Sequence, residues 1–201
     1  VAGFILANGA LSADGTEGEI RRKMIERGLV EAIVILPRNL FYSTDISVTL
    51  WILNANKKAR IVHRNGEEIH YRDREKEILF IDMRQMGEPF EKKYVRFTDE
   101  DICKVADAYH NWQREGHTET YTDIPEFCKS VSVGEDGGIA DKGFSLVPSK
   151  YIEFVNRDES VDYDIRMKEL QLELADILRQ EAKSRESVLN VFKSLGYEIE
   201  L

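Results

Sequence analysis

A chain of 201 residues with 42% hydrophobic residues can bury one substantial core with an appendage. Its formal net charge of −9 argues against a surface that grips nucleic acid broadly, because neutralising phosphates takes clustered Lys and Arg. No apolar run approaches the roughly 18 residues of a membrane span, the opening residues lack the basic flank of a secretory leader, and Cys103 and Cys128 make no disulfide framework, so the expected location is the cytoplasm.

Ala2 to Ala7 is almost uniformly apolar, the pattern of a strand buried on both faces. With no initiator Met before it, this predicts a chain that begins in mid-fold. Asn8-Gly9 is a turn signal, and Leu11 to Gly18 reads as a small, polar loop. From Glu17 the period is helical, with Ile20, Met24 and Ile25 on one face and Gly28 as the stop. Leu29 to Leu36 is a second buried strand, halted by Pro37, and Ile46 to Leu53 a third. Strand, helix, strand predicts a crossover in an α/β sheet, and the third strand, arriving without a helix, an antiparallel return.

Beyond Asn54 the chain becomes charged, with a hairpin expected through Asn65-Gly66 and a strand over Glu77 to Met83. Thr98-Asp99-Glu100-Asp101 starts a helix with an N-cap and an acidic first turn. Phe127 to Val133 and Phe144 to Val147 bracket a Gly-rich segment and read as a β-hairpin. From Asp162 a single helix is expected to about Leu195, ended by Gly196. Met167, Leu170, Leu174, Ile177, Val188, Val191 and Leu195 follow steps of three and four along it, with Glu181 and Ser184 on the same track. Such a stripe packs on its own domain or pairs with another chain's helix; the helix's length favours pairing, through Leu170, Leu174, Ile177, Val188, Val191 and Leu195.

Few constellations promise chemistry. Cys103, His110 and His117 lack the tight spacing of zinc ligands. Asp82 with Glu91-Lys92-Lys93 has the composition of a metal-dependent nuclease motif, but Gly87 and Pro89 interrupt the strand that motif needs. Gly134, Gly137, Gly138 and Gly143 do not lead a buried strand into a helix, as a phosphate cradle would. That leaves Ile35 to Thr44, a loop after a buried strand, where α/β sheets expose their functional edge. Phe41 and Tyr42 there would stack on a planar ring, or simply cover the sheet edge; the residues alone leave both open.

An ordered set of segments resembles the modification subunit of type I restriction enzymes. It comprises Val1-Ala2-Gly3-Phe4-Ile5-Leu6-Ala7-Asn8-Gly9, Glu19-Ile20-Arg21, Val34-Ile35-Leu36-Pro37, Leu40-Phe41-Tyr42-Ser43-Thr44, Leu79-Phe80-Ile81-Asp82-Met83-Arg84, the helix start Thr98-Asp99-Glu100-Asp101-Ile102, Phe127-Cys128-Lys129-Ser130 and Phe144-Ser145-Leu146-Val147-Pro148-Ser149-Lys150-Tyr151. The resemblance implies an α/β fold: the last three strands of a Rossmann-like methyltransferase sheet over 1–56, an α+β extension over 57–160, and an assembly helix over 161–201. It implies methyl transfer from S-adenosylmethionine to adenine N6 of a flipped base in double-stranded DNA. The family's cofactor loop and its Asn-Pro-Pro-aromatic motif have no counterpart here, so no catalytic, cofactor-binding or metal-binding residue is expected in the chain, and the fragment alone should be inactive. Phe41, Tyr42 and Asn8 are the expected target-base contacts; Ala7 stands where many relatives have Pro. The expected partners are a specificity subunit and a restriction subunit. The competing reading is a non-catalytic module that assembles with a helical partner.

Overall fold

Three apolar, β-branched stretches become β1 (Ala2–Ala7), β2 (Val30–Ile35) and β3 (Val48–Leu53), with α1 (Gly15–Glu26) between the first two. Both β1 and β2 pair with β3 antiparallel, so they run in the same direction and flank it. The crossover and the antiparallel return are therefore present. The computed structural model describes residues 1–134, 136–155 and 163–196, and divides into units Val1–Val155 and Asn156–Leu201. The sheet continues past β2 through β6 (Glu77–Asp82), parallel to it, and β9 (Cys128–Ser132), antiparallel to β6, giving the order β1-β3-β2-β6-β9.

Each face of this mixed sheet has its own core. Val30, Ile33, Ile78 and Phe80 pack with Leu11, Ile25 of α1, Ile139, Leu146 and Tyr151 on one side. Ala32, Val34, Leu79 and Ile81 pack with Trp112 of α2 (Asp99–Gln113) on the other. Burial of each such side chain contributes about 1.5–3 kcal/mol. Val30 and Ile33 share a face although three apart, because the register shifts between Val30 and Ala32. That shift accommodates Glu31, fully buried beside α2.

Glu31 would be prohibitive there alone, but every carboxylate oxygen is satisfied. Oε1 accepts from Arg74 Nε and Nη2 at 3.1 and 3.0 Å and from Gln113 at 3.1 Å; Oε2 accepts from Asn54 at 2.7 Å and Tyr109 at 3.1 Å. The buried Lys57 ammonium donates to the carbonyls of Val30 and Glu77 at 2.8 and 2.7 Å. This polar knot ties the charged segment after Asn54 to the sheet and to α2.

The Asn65-Gly66 turn joins β4 (Arg60–Arg64) to β5 (Glu67–Tyr71), with both turn residues at positive φ, 54° and 82°, as a tight hairpin requires. A second hairpin, β7 (Glu88–Phe90) with β8 (Tyr94–Arg96), had no clear sequence signal. Thr98 caps α2 in a full capping box with Asp101, and a single turn, α3 (His117–Thr120), follows.

Two expectations need correction. Residues 127–133 and 144–147 do not pair with each other; β9 takes the free edge of β6, and Leu146 is instead buried in the covering layer, its N–H donating to Leu11 O at 2.8 Å. An apolar pattern marks a strand but not which edge is open to it. Nor is β1 buried on both faces: it is the edge strand of this sheet, with Ile5 47% exposed and Phe4, stacked on Trp51 at 6.2 Å, half-buried. In the second unit α4 (Tyr163–Ser194) forms one continuous helix; the expected start at Asp162 lies outside the described residues.

Candidate functional site

The parallel strands β1, β2 and β6 end on one edge of the sheet. Beyond those ends a cleft of about 580 Å³ is lined by Asn8 after β1, Pro37, Arg38 and Asn39 after β2, and Arg84, Gln85 and Met86 after β6. The carboxyl edge of such a sheet is where ligands bind, because the strand-end loops are free to vary over a rigid base.

Local hydrogen bonds fix this wall. Ser47 Oγ donates to Leu36 O at 2.6 Å, and Arg38 Nε to Asp45 O at 3.1 Å. Asn39 adopts φ 59°, which Asn tolerates, and its carbonyl accepts the Val95 N–H at 3.0 Å. Asp82, nearly buried at the end of β6, accepts both Nε and Nη2 of Arg84, the latter at 2.6 Å, which raises the Arg84 pKa. Gly87 is required for packing: a Cβ would meet Val95 Cγ1 at 2.6 Å and Arg96 O at 2.9 Å.

The lining offers amides from Asn8, Asn39 and Gln85, two guanidinium groups and apolar contact, with no carboxylate, His or Cys. Such a surface can hold a planar polar group but has no general base and no free nucleophile.

The expected site residues fall in different places. Asn8 lines the cleft. Phe41 is half-buried and packs against the core on the α2 side of the sheet, its backbone bridging Thr44. Tyr42 is 70% exposed, edge-on to Tyr94 of β8 at 4.6 Å. The cleft thus brings Asn8 together with Arg38 and Asn39, while the two aromatics are not among its lining. Sequence reasoning missed Arg84, Gln85 and the β7–β8 hairpin; applying the carboxyl-edge rule to the strand ending at Asp82 would have found the first two.

The model of the N-6 DNA Methylase family matches residues 1–160. The chain belongs to the N-6 DNA methylase family. The HindI methylase subunit of a type I restriction enzyme from Haemophilus influenzae is 35% identical over 97% of this chain, and the MjaIX methylase subunit from Methanocaldococcus jannaschii is 32% identical over 98%. The chain spans 40% and 32% of the lengths of those two relatives. A type I restriction-modification methyltransferase subunit from Streptococcus thermophilus superimposes with TM-score 0.57 and 25% identity, over 75% of this chain and 26% of that one. A chain from a structure of type I system complex assembly shares the fold, with TM-score 0.50 and 18% identity over 94% of this chain and 35% of its own. The match to this N-6 DNA methylase family is thus continuous across the sheet, the cleft and the hairpins.

Proposed function

We propose that these residues form the C-terminal part of the modification subunit of a type I restriction–modification enzyme, working in the cytoplasm and transferring a methyl group from S-adenosylmethionine to adenine N6 in DNA. In this reading β1, β2 and β3 are the closing strands of the Rossmann-like methyltransferase part of the sheet, which β6 and β9 of the 57–160 segment extend further than the sequence led us to expect, and the cleft beyond them is one wall of the target-base pocket. Asn8 is the polar contact in that wall, and Tyr42 and the half-buried Phe41 are aromatic elements of its rim. The observation that carries it is the order β1-β3-β2, two parallel strands around one antiparallel strand, with a family match spanning the cleft. The apolar groove of about 360 Å³ formed by Phe4, Leu6, Ile20, Met24 and Trp51 supports a sheet that continues beyond β1 in the complete subunit.

S-adenosylmethionine does not fit the residues present. Among the described residues no glycine-rich turn leads from a strand of the sheet directly into a helix, and the cleft lacks a carboxylate to bind ribose hydroxyls among its lining residues. We therefore assign cofactor binding and the transfer step to the part of the subunit outside this chain. The segments 57–160 and 161–201 serve in this reading as the extension carrying the hairpins and as the helix that docks on the specificity subunit, with the restriction subunit joining that assembly.

The test is Asn8→Ala in the complete subunit with its partners. Turnover on DNA should fall by about tenfold or more, as when a transition-state hydrogen bond is lost, while S-adenosylmethionine affinity stays unchanged. Unaltered turnover would remove this cleft from the base pocket.

A further inference from the structure

The β7–β8 hairpin forms the outer wall of the cleft, with Pro89 and Val95 in its lining. It is held firmly. Val95 N–H bonds to Asn39 O at 3.0 Å, Tyr94 packs edge-on to Tyr42, and Arg96 pairs with Glu88 at 2.7 Å across the strands. Just past the hairpin, Asp101 in the first turn of α2 accepts from the Thr98 N–H and hydroxyl, both at 2.9 Å, which hold that carboxyl below its usual range.

What this braced element presents is positive charge. Its tip is Glu91-Lys92-Lys93, turned by Glu91 at φ 50°, and all three side chains are exposed. Around the cleft, segments 38–47 and 82–96 carry five cations (Arg38, Arg84, Lys92, Lys93 and Arg96) against four carboxylates (Asp45, Asp82, Glu88 and Glu91). Five minus four leaves +1, so the rest of a −9 chain carries −10. Three of the four carboxylates are paired within the rim, with Arg38, Arg84 and Arg96. The exposed Arg38–Asp45 contact, at 3.9 Å, is weak enough for a phosphate to replace it. Lys93 lies over the Tyr94 ring at 5.2 Å, so the tip also joins a cation to the Tyr42–Tyr94 aromatic pair.

We infer that the β7–β8 hairpin is a DNA-contacting arm, in which Lys92 and Lys93, with Arg38 across the cleft, bind backbone phosphates beside the extruded base. This rests on the methyltransferase reading of the cleft. The three cations are positioning residues: they hold the duplex over the pocket and take no part in bond making. Phosphate contacts of this kind fix register without reading sequence.

The experiment uses the complete modification–specificity complex and a duplex containing its target. Each phosphate contact contributes about −0.9 to the slope of log affinity against log salt. Lys92→Gln with Lys93→Gln should therefore make the slope shallower by about two and weaken binding roughly tenfold at physiological salt. The KM for DNA should rise while kcat at saturating DNA and S-adenosylmethionine affinity hold. Arg64→Gln, exposed on the other hairpin, is the control and should change none of these. An unchanged slope in the Lys92/Lys93 variant, with cofactor binding intact, overturns the arm. A wild-type complex that neither binds nor methylates the duplex overturns the methyltransferase reading itself, before any variant is compared.

Discussion

Lys57 is the residue whose environment makes the sharpest claim. Its ammonium is buried against two carbonyls, and burial pushes its pKa down to about 8, opposed by Glu31 and reinforced by Arg74. Below pH 8 folded and unfolded chains both carry the charge, and the fold bears the cost of burying it. Between about 8 and 10.5 the folded chain releases the proton while the unfolded chain keeps it, so stability rises with pH, by on the order of 3 kcal/mol over the window. Tyr151, pushed up to about 12, works the other way only above pH 10, where the unfolded phenol ionises first. Denaturation of the wild type and of Lys57→Met from pH 7.5 to 10 should show the wild type gaining stability relative to the variant. A difference that does not vary with pH would mean that Lys57 is not titrating in the fold. None of this was legible in the sequence, where Lys57-Lys58-Ala59-Arg60 is indistinguishable from a solvated basic cluster. Asn8 was named through the family resemblance alone, and it lines the cleft.

At the scale of elements, the legible ones carry local signals. Examples are the Asn65-Gly66 turn, the Thr98 cap, and the strands before Asn8 and Pro37. The β7–β8 hairpin was not legible because its strands are three residues each, too short for alternation to register, and Pro89 argues against a strand. β9 was found, but its pairing was not. The long helix α4 was read directly from its stripe, and Leu170, Leu174, Ile177, Val188, Val191 and Leu195 are between 44% and 65% exposed. If this face docks on the specificity subunit, deleting residues after 161 should abolish co-purification with that subunit while leaving the Val1–Val155 unit folded by circular dichroism. Retained co-purification would place the assembly surface elsewhere.

The whole molecule joins an acidic exterior to a small, locally basic rim around an amide-lined cleft. Under the proposed function, DNA is handled at that one place and the broader grip is left to partners, because a net charge of −9 is a poor source of the counterion release that tight duplex binding needs. It also bears on the cofactor. S-adenosylmethionine carries ribose hydroxyls, an ammonium and a sulfonium, and sites for such groups are built from carboxylates and backbone N–H groups at a helix start. The cleft lining offers Arg38 and Arg84 instead, each paired with its own aspartate, Asp45 and Asp82, and has no carboxylate among its lining residues for the ligand's hydroxyls and positive centres. The 201-residue chain should therefore give no S-adenosylmethionine binding by titration calorimetry at micromolar concentrations. Micromolar binding would mean that this sheet edge holds the cofactor itself, and Arg38 and Arg84 would then have to be reread as contacts to its carboxylate.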